Sequence, residues 1–187
     1  SDAVKKMSEG ELLQLEKSRT MNIDEETYFE IIRNKTASFL ASACSVGAYS
    51  TSADETTAQK MQEFGEYLGI AFQIKDDLFD YGTKDVGKPT GNDIKEKKLT
   101  LPLIHILQKC SPALKKEIIY IVKNNNNDKR KVKFVIDHVK ALGGIEYAHA
   151  KMIEYRDKAL VVLHSFPPSI TRDALEELVR YTTDRKY

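Results

Sequence analysis

The sequence predicts an all-α protein of about eight helices. Apolar residues recur at intervals of three and four, which is the spacing of a helix with one buried face. The segments between these patterns hold the proline, glycine and asparagine residues that end helices. No segment shows the sustained apolar–polar alternation of a half-buried strand. Because 187 residues suffice for a substantial core, we expect residues 1–187 to form a single domain.

The first part of the chain is predicted to form three helices. Residues 2–19 form the first, with apolar positions at Val4, Met7, Leu12, Leu13 and Leu15. The second begins at an acidic capping sequence near residue 23 and extends to about residue 49. Its apolar face comprises Tyr28, Ile31, Ile32, Lys35, Phe39, Leu40 and Ala43. The third is predicted over about residues 54–81.

A long polar segment, residues 82–99, separates these helices from the rest. It contains three glycines and five lysines, so we expect a loop, and loops of this length are usually functional or disordered. Five more helices are predicted after it, over about residues 100–110, 112–123, 128–142, 145–165 and 169–184.

Composition narrows the classes of function. A net charge of +1 argues against a general binder of nucleic acid. No stretch approaches the roughly 20 apolar residues of a membrane span. Cys44 and Cys110 match no metal or redox spacing, so we expect reduced thiols in a cytoplasmic protein. The chain begins without Met and within a helical pattern, which suggests a fragment of a longer protein.

The most distinctive stretch is residues 64–81. Residues 67–74 are apolar apart from Gln73, which predicts a buried helix. Three aspartates follow directly, namely Asp76, Asp77 and Asp80. Carboxylates at the end of a buried helix repel one another unless a cation lies among them. Carboxylate ligands suit Mg²⁺, although a solvated helix end with spare acidic residues is the alternative.

Lysines provide the opposite charge. Lys35 lies on the apolar face of the second helix, where Ile31 and Phe39 occupy the positions one turn away, so we infer a bound anion near it. A side chain that extends to solvent is the alternative. Lys88 and Lys98 lie in the polar loop, where each alone would be an ordinary solvated lysine. Together, the acids and lysines predict a diphosphate site bridged by Mg²⁺.

These residues carry a resemblance to a known family. The sequence around the D-D-x-x-D motif of residues 76–80 resembles the second aspartate-rich motif of the trans-prenyltransferases, the all-α isoprenyl diphosphate synthases. The loop that follows resembles that of long-chain polyprenyl diphosphate synthases, except that Lys97 stands where Gly is usual. The matching segments are residues 9–14, 28–37, 69–81, 87–102 and 143–148, with the terminal Arg185 and Lys186.

The resemblance implies a fold and an activity. The fold would be the C-terminal part of an isoprenoid-synthase-type helical bundle, and the protein a homodimer. The reaction would ionise an allylic diphosphate, after which the double bond of isopentenyl diphosphate attacks the carbocation and a proton is lost.

The resemblance also implies roles for individual residues. Asp76 would bind Mg²⁺ directly, and Asp77 and Asp80 would hold water molecules bound to the metal. The departing diphosphate would be bound by Lys35, Lys88 and Lys98. Thr36 and Gln73 would face the developing carbocation.

One departure from the family pattern limits these expectations. No second D-D-x-x-D motif and no pair of adjacent arginines occurs in the 187 residues. The chain therefore resembles the C-terminal two-thirds of a polyprenyl diphosphate synthase, and alone we expect it to be inactive and to expose apolar surface. Two alternatives remain: a truncated, non-catalytic subunit that binds a partner chain, and a helical interaction module with a Mg²⁺-stabilised helix end.

Overall fold

The computed structural model consists mainly of helices and describes residues 2–51, 54–82 and 90–184. Within these ranges no strand occurs, and the all-α prediction is confirmed. The first half forms α1 (Asp2–Thr20), α2 (Glu25–Ile32), a π-helical turn (Arg33–Ala37), α3 (Ser38–Ser50) and α4 (Glu55–Phe79). The second half forms α5 (Asn92–Lys95), α6 (Leu101–Lys109), α7 (Pro112–Asn124), α8 (Lys129–Ala141), α9 (Gly144–His164) and α10 (Ile170–Asp184).

Each of the eight predicted helices is present. The predicted second helix consists of α2, the π-helical turn and α3, which follow one another without a break. The one additional helix in the described ranges is α5, a single turn within the segment predicted as loop. Four residues are too few for a periodic pattern, so the sequence provided no signal for it.

Local capping sets several helix starts. The Asp24 carboxylate accepts a hydrogen bond of 2.8 Å from the Thr27 N–H at the start of α2. Asp54 does the same for Thr57, at 2.7 Å, and is the residue before α4. Aspartate stabilises these ends because its oxygen bonds one of the first N–H groups, which have no partner within the helix. Pro112 opens α7, where its missing N–H costs nothing.

The core surrounds the C-terminal half of α4. This helix packs between α3 and α9, and α6 lies across the same core. From Leu101 to Leu107, every residue of α6 is buried. The larger apolar cluster includes Ile70, Ala71 and Ile74 of α4, which confirms that residues 67–74 lie largely inside the protein.

The π-helical turn corrects the predicted face of the second helix. Tyr28, Ile31 and Ile32 are buried as expected, but Phe39 is 56% exposed and Ala43 is exposed. A π-helical turn adds one residue to the helical repeat, so the positions after it rotate away from the predicted face. The next buried positions are Ala37 and Ala41.

The apolar residues of α1 are also more exposed than predicted. Gly10 is its one buried residue, whereas Val4, Leu12 and Leu15 are 61%, 66% and 59% exposed. These side chains form an uncovered apolar surface on α1.

Two further sequence predictions concern the thiols and the membrane. Cys44 and Cys110 are both free and half-buried. None of the helices in the described part of the chain combines the length and the apolar composition that crossing a membrane requires.

Candidate functional site

A partly enclosed cavity of about 230 Å³ lies where α1, α2, the π-helical turn and α4 meet residues 93–100. Six of the eight predicted site residues line it. They are Lys35, Thr36, Gln73, Asp76, Asp77 and Lys98. The structure thus brings together residues that are up to 63 positions apart in the chain (Lys35 to Lys98).

Close backbone contact between α4 and the π-helical turn forms one wall. A Cβ atom at Gly69 would lie only 2.6 Å from the Ala37 Cα, so only glycine permits this approach. One turn beyond Gly69, the side chain of Gln73 reaches the π-helical turn. There the Thr36 hydroxyl donates a hydrogen bond of 2.9 Å to the Gln73 Oε1.

This hydrogen bond continues into the aspartate cluster. The Gln73 Nε2 donates to the Asp77 Oδ1 at 2.9 Å, and the Tyr28 hydroxyl donates to the Asp77 Oδ2 at 2.6 Å. Both carboxylate oxygens of Asp77 therefore have a donor. The chain Thr36–Gln73–Asp77–Tyr28 fixes these side chains relative to one another.

Asp77 is the most buried of the three aspartates, at 6% exposure. Burial raises its pKa to about 7, against the lowering effect of the hydrogen bonds from Tyr28 and Gln73. Nearby Asp93, on α5, also lines the cavity, and burial followed by the charge of Asp80 raises its pKa to about 6. Within the described residues, burial and the neighbouring carboxylates thus outweigh the interactions that favour the charged forms of Asp77 and Asp93.

Asp76 and Asp80 have different surroundings. Asp76 is half-buried and lines the cavity. Asp80 instead accepts hydrogen bonds from the backbone N–H groups of Asn92, at 2.7 Å, and Asp93, at 3.1 Å. Burial raises the Asp80 pKa, while these two bonds act to lower it. Asp80 thus connects the end of α4 to the start of α5.

The structure corrects the inference that Lys35 lacks an acidic partner. Its Nζ lies 2.6 Å from the Glu11 Oε2 and donates to the Gln14 Oε1 at 2.7 Å. Gly10 makes this possible, because a Cβ there would lie 2.8 Å from the Lys35 backbone nitrogen. Spacing in the sequence identifies only neighbours on the same helix, whereas the Glu11 carboxylate lies on α1. Lys35 lines the cavity with its charge already paired.

Lys98 pairs with a local acid as well. Its ammonium contacts Glu96, and its backbone N–H donates to the Asp93 carbonyl at 2.8 Å. Partial burial acts to lower the Lys98 pKa, but Glu96, Asp93 and Glu11 together raise it by more, and the net shift is upward. Lys88, the third predicted lysine, lies outside the described residues.

Sequence reasoning missed several residues of this site. The helical period places Tyr28 on the apolar face and does not indicate that its hydroxyl reaches Asp77. Glu11, Gln14 and Asp93 lie in segments that carried the family resemblance, which was the one available signal for them.

Asp76 and Asp77 have the donor chemistry that a hard divalent cation requires. Among the described residues, no three acidic, histidine or cysteine side chains converge closely enough to hold a metal by themselves. A cation at this site would therefore take one or two carboxylates and complete its shell with water and substrate oxygens, as Mg²⁺ usually does. The high pKa of buried Asp77 fits such a site, because a nearby cation would stabilise its charged form.

The chain is similar in sequence to a known protein family. The family model described as polyprenyl synthetase matches residues 1–139. Octaprenyl diphosphate synthase of Escherichia coli (strain K12) is 32% identical over 187 residues, which cover 99% of this chain and 58% of that protein. Heptaprenyl diphosphate synthase component 2 of Bacillus subtilis (strain 168) is 31% identical over 180 residues, or 95% of this chain and 51% of that one.

The fold is also similar to that of a solved polyprenyl synthase. Polyprenyl synthase from Caulobacter crescentus CB15, complexed with calcium and isoprenyl diphosphate, superimposes with a TM-score of 0.90 at 32% identity. The match covers 100% of this chain and 57% of that one. The chain thus spans somewhat more than half the length of these similar proteins, and the isoprenoid-synthase-type helical bundle is confirmed.

Proposed function

Because this chain belongs to the polyprenyl synthetase family, we propose that it is part of a trans-polyprenyl diphosphate synthase. The reaction condenses an allylic diphosphate with isopentenyl diphosphate. The observation that carries this proposal is the convergence of Asp76, Asp77, Lys35 and Lys98 on one cavity. Carboxylates that bind a divalent cation and lysines that bind phosphate oxygens are the two charge types that a metal–diphosphate substrate requires.

The charges have distinct tasks in this reaction. Cleavage of the allylic C–O bond leaves negative charge on the departing diphosphate, and Lys35, Lys88 and Lys98 stabilise that charge. Glu11 and Glu96 hold Lys35 and Lys98 in place before the substrate binds. Each lysine has three donors, so pairing with one carboxylate leaves donors for phosphate.

Mg²⁺ is the proposed cofactor, and it would neutralise diphosphate oxygens. Asp76 would bind it directly. Asp77 and Asp80 would orient its water ligands, and the Tyr28 and Gln73 hydrogen bonds hold the Asp77 carboxylate in position. The polyprenyl synthase of Caulobacter crescentus was solved with calcium and isoprenyl diphosphate, which supports a divalent cation and an isoprenoid diphosphate as ligands here.

The carbocation would form beside Thr36 and Gln73. Their mutual hydrogen bond directs the Gln73 Oε1 dipole toward Thr36 and fixes both groups in the cavity wall. Fixed dipoles of this kind stabilise charge without reorganising during the reaction. Apolar neighbours such as Ile31 and Ile32 in the same wall help to exclude water from the cation.

We propose that the complete active site needs residues beyond these 187, within the same domain or on a partner. The chain has one D-D-x-x-D motif and no adjacent arginines. The name of the Bacillus subtilis relative, component 2, favours a second candidate, a subunit that acts with a different partner chain. The exposed Val4, Leu12 and Leu15 are compatible with either arrangement, including a homodimer in the cytoplasm.

Binding of an allylic diphosphate, measured by calorimetry with and without Mg²⁺, tests the site. We expect Mg²⁺-dependent binding that Asp76→Ala and Lys35→Ala weaken by at least about tenfold, because each removes a charged contact. Lys133→Ala is the matched control, since Lys133 is exposed and pairs with Asp137 on α8. Equal binding by all four proteins would overturn the proposed site.

A second measurement separates the two candidate functions. Intact-mass analysis of the natural gene product tells whether more chain is present. A mass near 21.2 kDa, that of these 187 residues, would exclude the complete synthase and favour the subunit. A mass consistent with a longer chain, together with turnover of isopentenyl diphosphate, would support the synthase.

A further inference from the structure

The outward face of α7 combines lysines with apolar side chains. Lys115, Lys116 and Lys123 line one shallow groove together with Ile119 and Tyr120. Lys116, Tyr120 and Lys123 follow one another at intervals of four and three residues, and Lys115 and Ile119 lie beside Lys116 and Tyr120, so the five share one side of the helix. Tyr120 is 61% exposed. The buried side of α7 is formed by Ile118, Ile121 and Val122, and Ile119, at the edge of the groove, is partly buried against the same core.

The charge of this region differs from that of the rest of the chain. Residues 109–133 contain eight Lys or Arg and two acidic residues, a net charge of +6, whereas the whole chain carries +1. In the described ranges, no carboxylate forms an ion pair with any of the three α7 lysines. Three further basic residues, Lys129 to Lys131, open α8 after a short turn. Because Lys133 pairs with Asp137, the excess positive charge of this region lies on α7 and at the start of α8.

We propose that the basic face of α7, formed by Lys115, Lys116, Ile119, Tyr120 and Lys123, docks on the surface of a bilayer that contains anionic lipids. Lysines gain from the negative surface potential of such a bilayer. Tyrosine places its ring among the headgroups and keeps its hydroxyl in water. A combined basic and apolar face is the pattern of helices that lie on membranes without crossing them.

The apolar residues decide between a membrane and a nucleic acid. Against the phosphate backbone of a nucleic acid, the Ile119 side chain would contact only water or phosphate groups. Binding there would therefore gain no hydrophobic free energy from Ile119. At the boundary between headgroups and acyl chains, both Ile119 and Tyr120 lose water to an apolar environment. None of the α7 residues lines the cavity of the candidate functional site, so this proposal is independent of the proposed function.

Co-sedimentation of the full natural gene product with lipid vesicles tests the proposal. We expect stronger binding to vesicles of phosphatidylcholine with phosphatidylglycerol than to phosphatidylcholine alone, and weaker binding in high salt. Lys115→Glu/Lys116→Glu should lower binding to the anionic vesicles by at least about tenfold, because two attractions become repulsions. Tyr120→Ser should lower the binding that remains in high salt.

The matched control is Lys5→Glu/Lys6→Glu, which reverses two adjacent lysines on the exposed surface of α1. It should bind anionic vesicles as the unmodified chain does. Lys115→Gln/Lys116→Gln serves as a second variant if the reversed one does not fold. The proposal is overturned if the unmodified chain does not bind anionic vesicles, or if the charge-reversed variants of α7 and α1 bind them equally. Binding of the α7 face to RNA and not to lipid would also overturn it.

Discussion

Tyr28 and Asp77, 49 positions apart in the chain, are joined by a buried hydrogen bond of 2.6 Å at the wall of the candidate functional site. Tyr28 is itself buried, and burial with the charge of Asp77 raises its pKa well above the ordinary value. The hydroxyl is therefore a permanent donor at neutral pH. In the part of the chain that the structure describes, the donors to the Asp77 carboxylate are the neutral side chains of Tyr28 and Gln73.

Tyr28→Phe should lower both the stability of the protein and its binding of diphosphate, because it removes this hydrogen bond. The substitution keeps the ring and leaves the Asp77 Oδ2 buried without a donor, so we expect a loss of about 1–3 kcal/mol in the free energy of unfolding. Mg²⁺-dependent binding of diphosphate should weaken too, because the Asp77 carboxylate loses its orientation. Urea unfolding and calorimetry measure the two effects. Tyr120→Phe is the control, since Tyr120 lies on the surface; equal stability of the two variants would contradict the prediction.

Asp77 should make the metal-free chain less stable as the pH rises. Its pKa is raised from 3.8 to about 7 in the folded protein, so the fold favours the protonated form. The resulting stability is fully present below the unfolded pKa and is lost as the pH rises through about 7. Asp93, with its pKa raised to about 6, acts in the same direction. Thermal unfolding between pH 5 and pH 8, in about the range where both groups titrate, follows this loss.

Asp77→Asn should remove much of that dependence and raise the midpoint of thermal unfolding at pH 8, which lies about one unit above the folded pKa. An amide fits because Gln73 can rotate its own amide and still bond both neighbours, Thr36 and residue 77. The same variant should bind Mg²⁺–diphosphate poorly, a trade of function against stability. Asp76→Asn is the control, because Asp76 is only half-buried. An unchanged pH profile for Asp77→Asn would disprove this account.

Asp80→Ala should loosen the segment around α5. The Asp80 carboxylate bonds the N–H groups of Asn92 and Asp93, and loss of such a capping interaction costs about 0.5–2 kcal/mol. We expect faster exchange of the backbone N–H hydrogens of residues 92–98. Diphosphate binding should also weaken, because Lys98 would be held less firmly. Asp80→Asn keeps an acceptor and should retain slower exchange. If Asp80→Ala lost metal-dependent binding without faster exchange, Asp80 would act at the metal and not through α5.

Gly69→Ala tests the contact that brings Gln73 to Thr36. The added Cβ would lie 2.6 Å from the Ala37 Cα, so the π-helical turn and α4 must move apart. Such overpacking typically costs about 1–3 kcal/mol, and the Thr36–Gln73 hydrogen bond should lengthen or break. Gly47→Ala is the matched control, because nothing lies within 4 Å of its added Cβ. On an open helical surface, Ala should stabilise by about 0.5–1 kcal/mol. Equal shifts of the two variants in urea unfolding would contradict the prediction.

The helices, the burial of residues 67–74 and the position of the aspartates at the end of α4 could all be predicted from the sequence. These properties follow from patterns within one helix, because a period of 3.6 residues assigns each side chain to a face. The packing of the helices was needed to show that Glu11 neutralises Lys35 and that Tyr28 bonds Asp77, since each pair joins different helices. The exposure of Phe39 likewise became clear only from the structure, because the π-helical turn shifts the repeat in a way that no periodic pattern encodes. Local spacing thus predicts which face of a helix is apolar, whereas the partner of each polar side chain depends on how the helices pack.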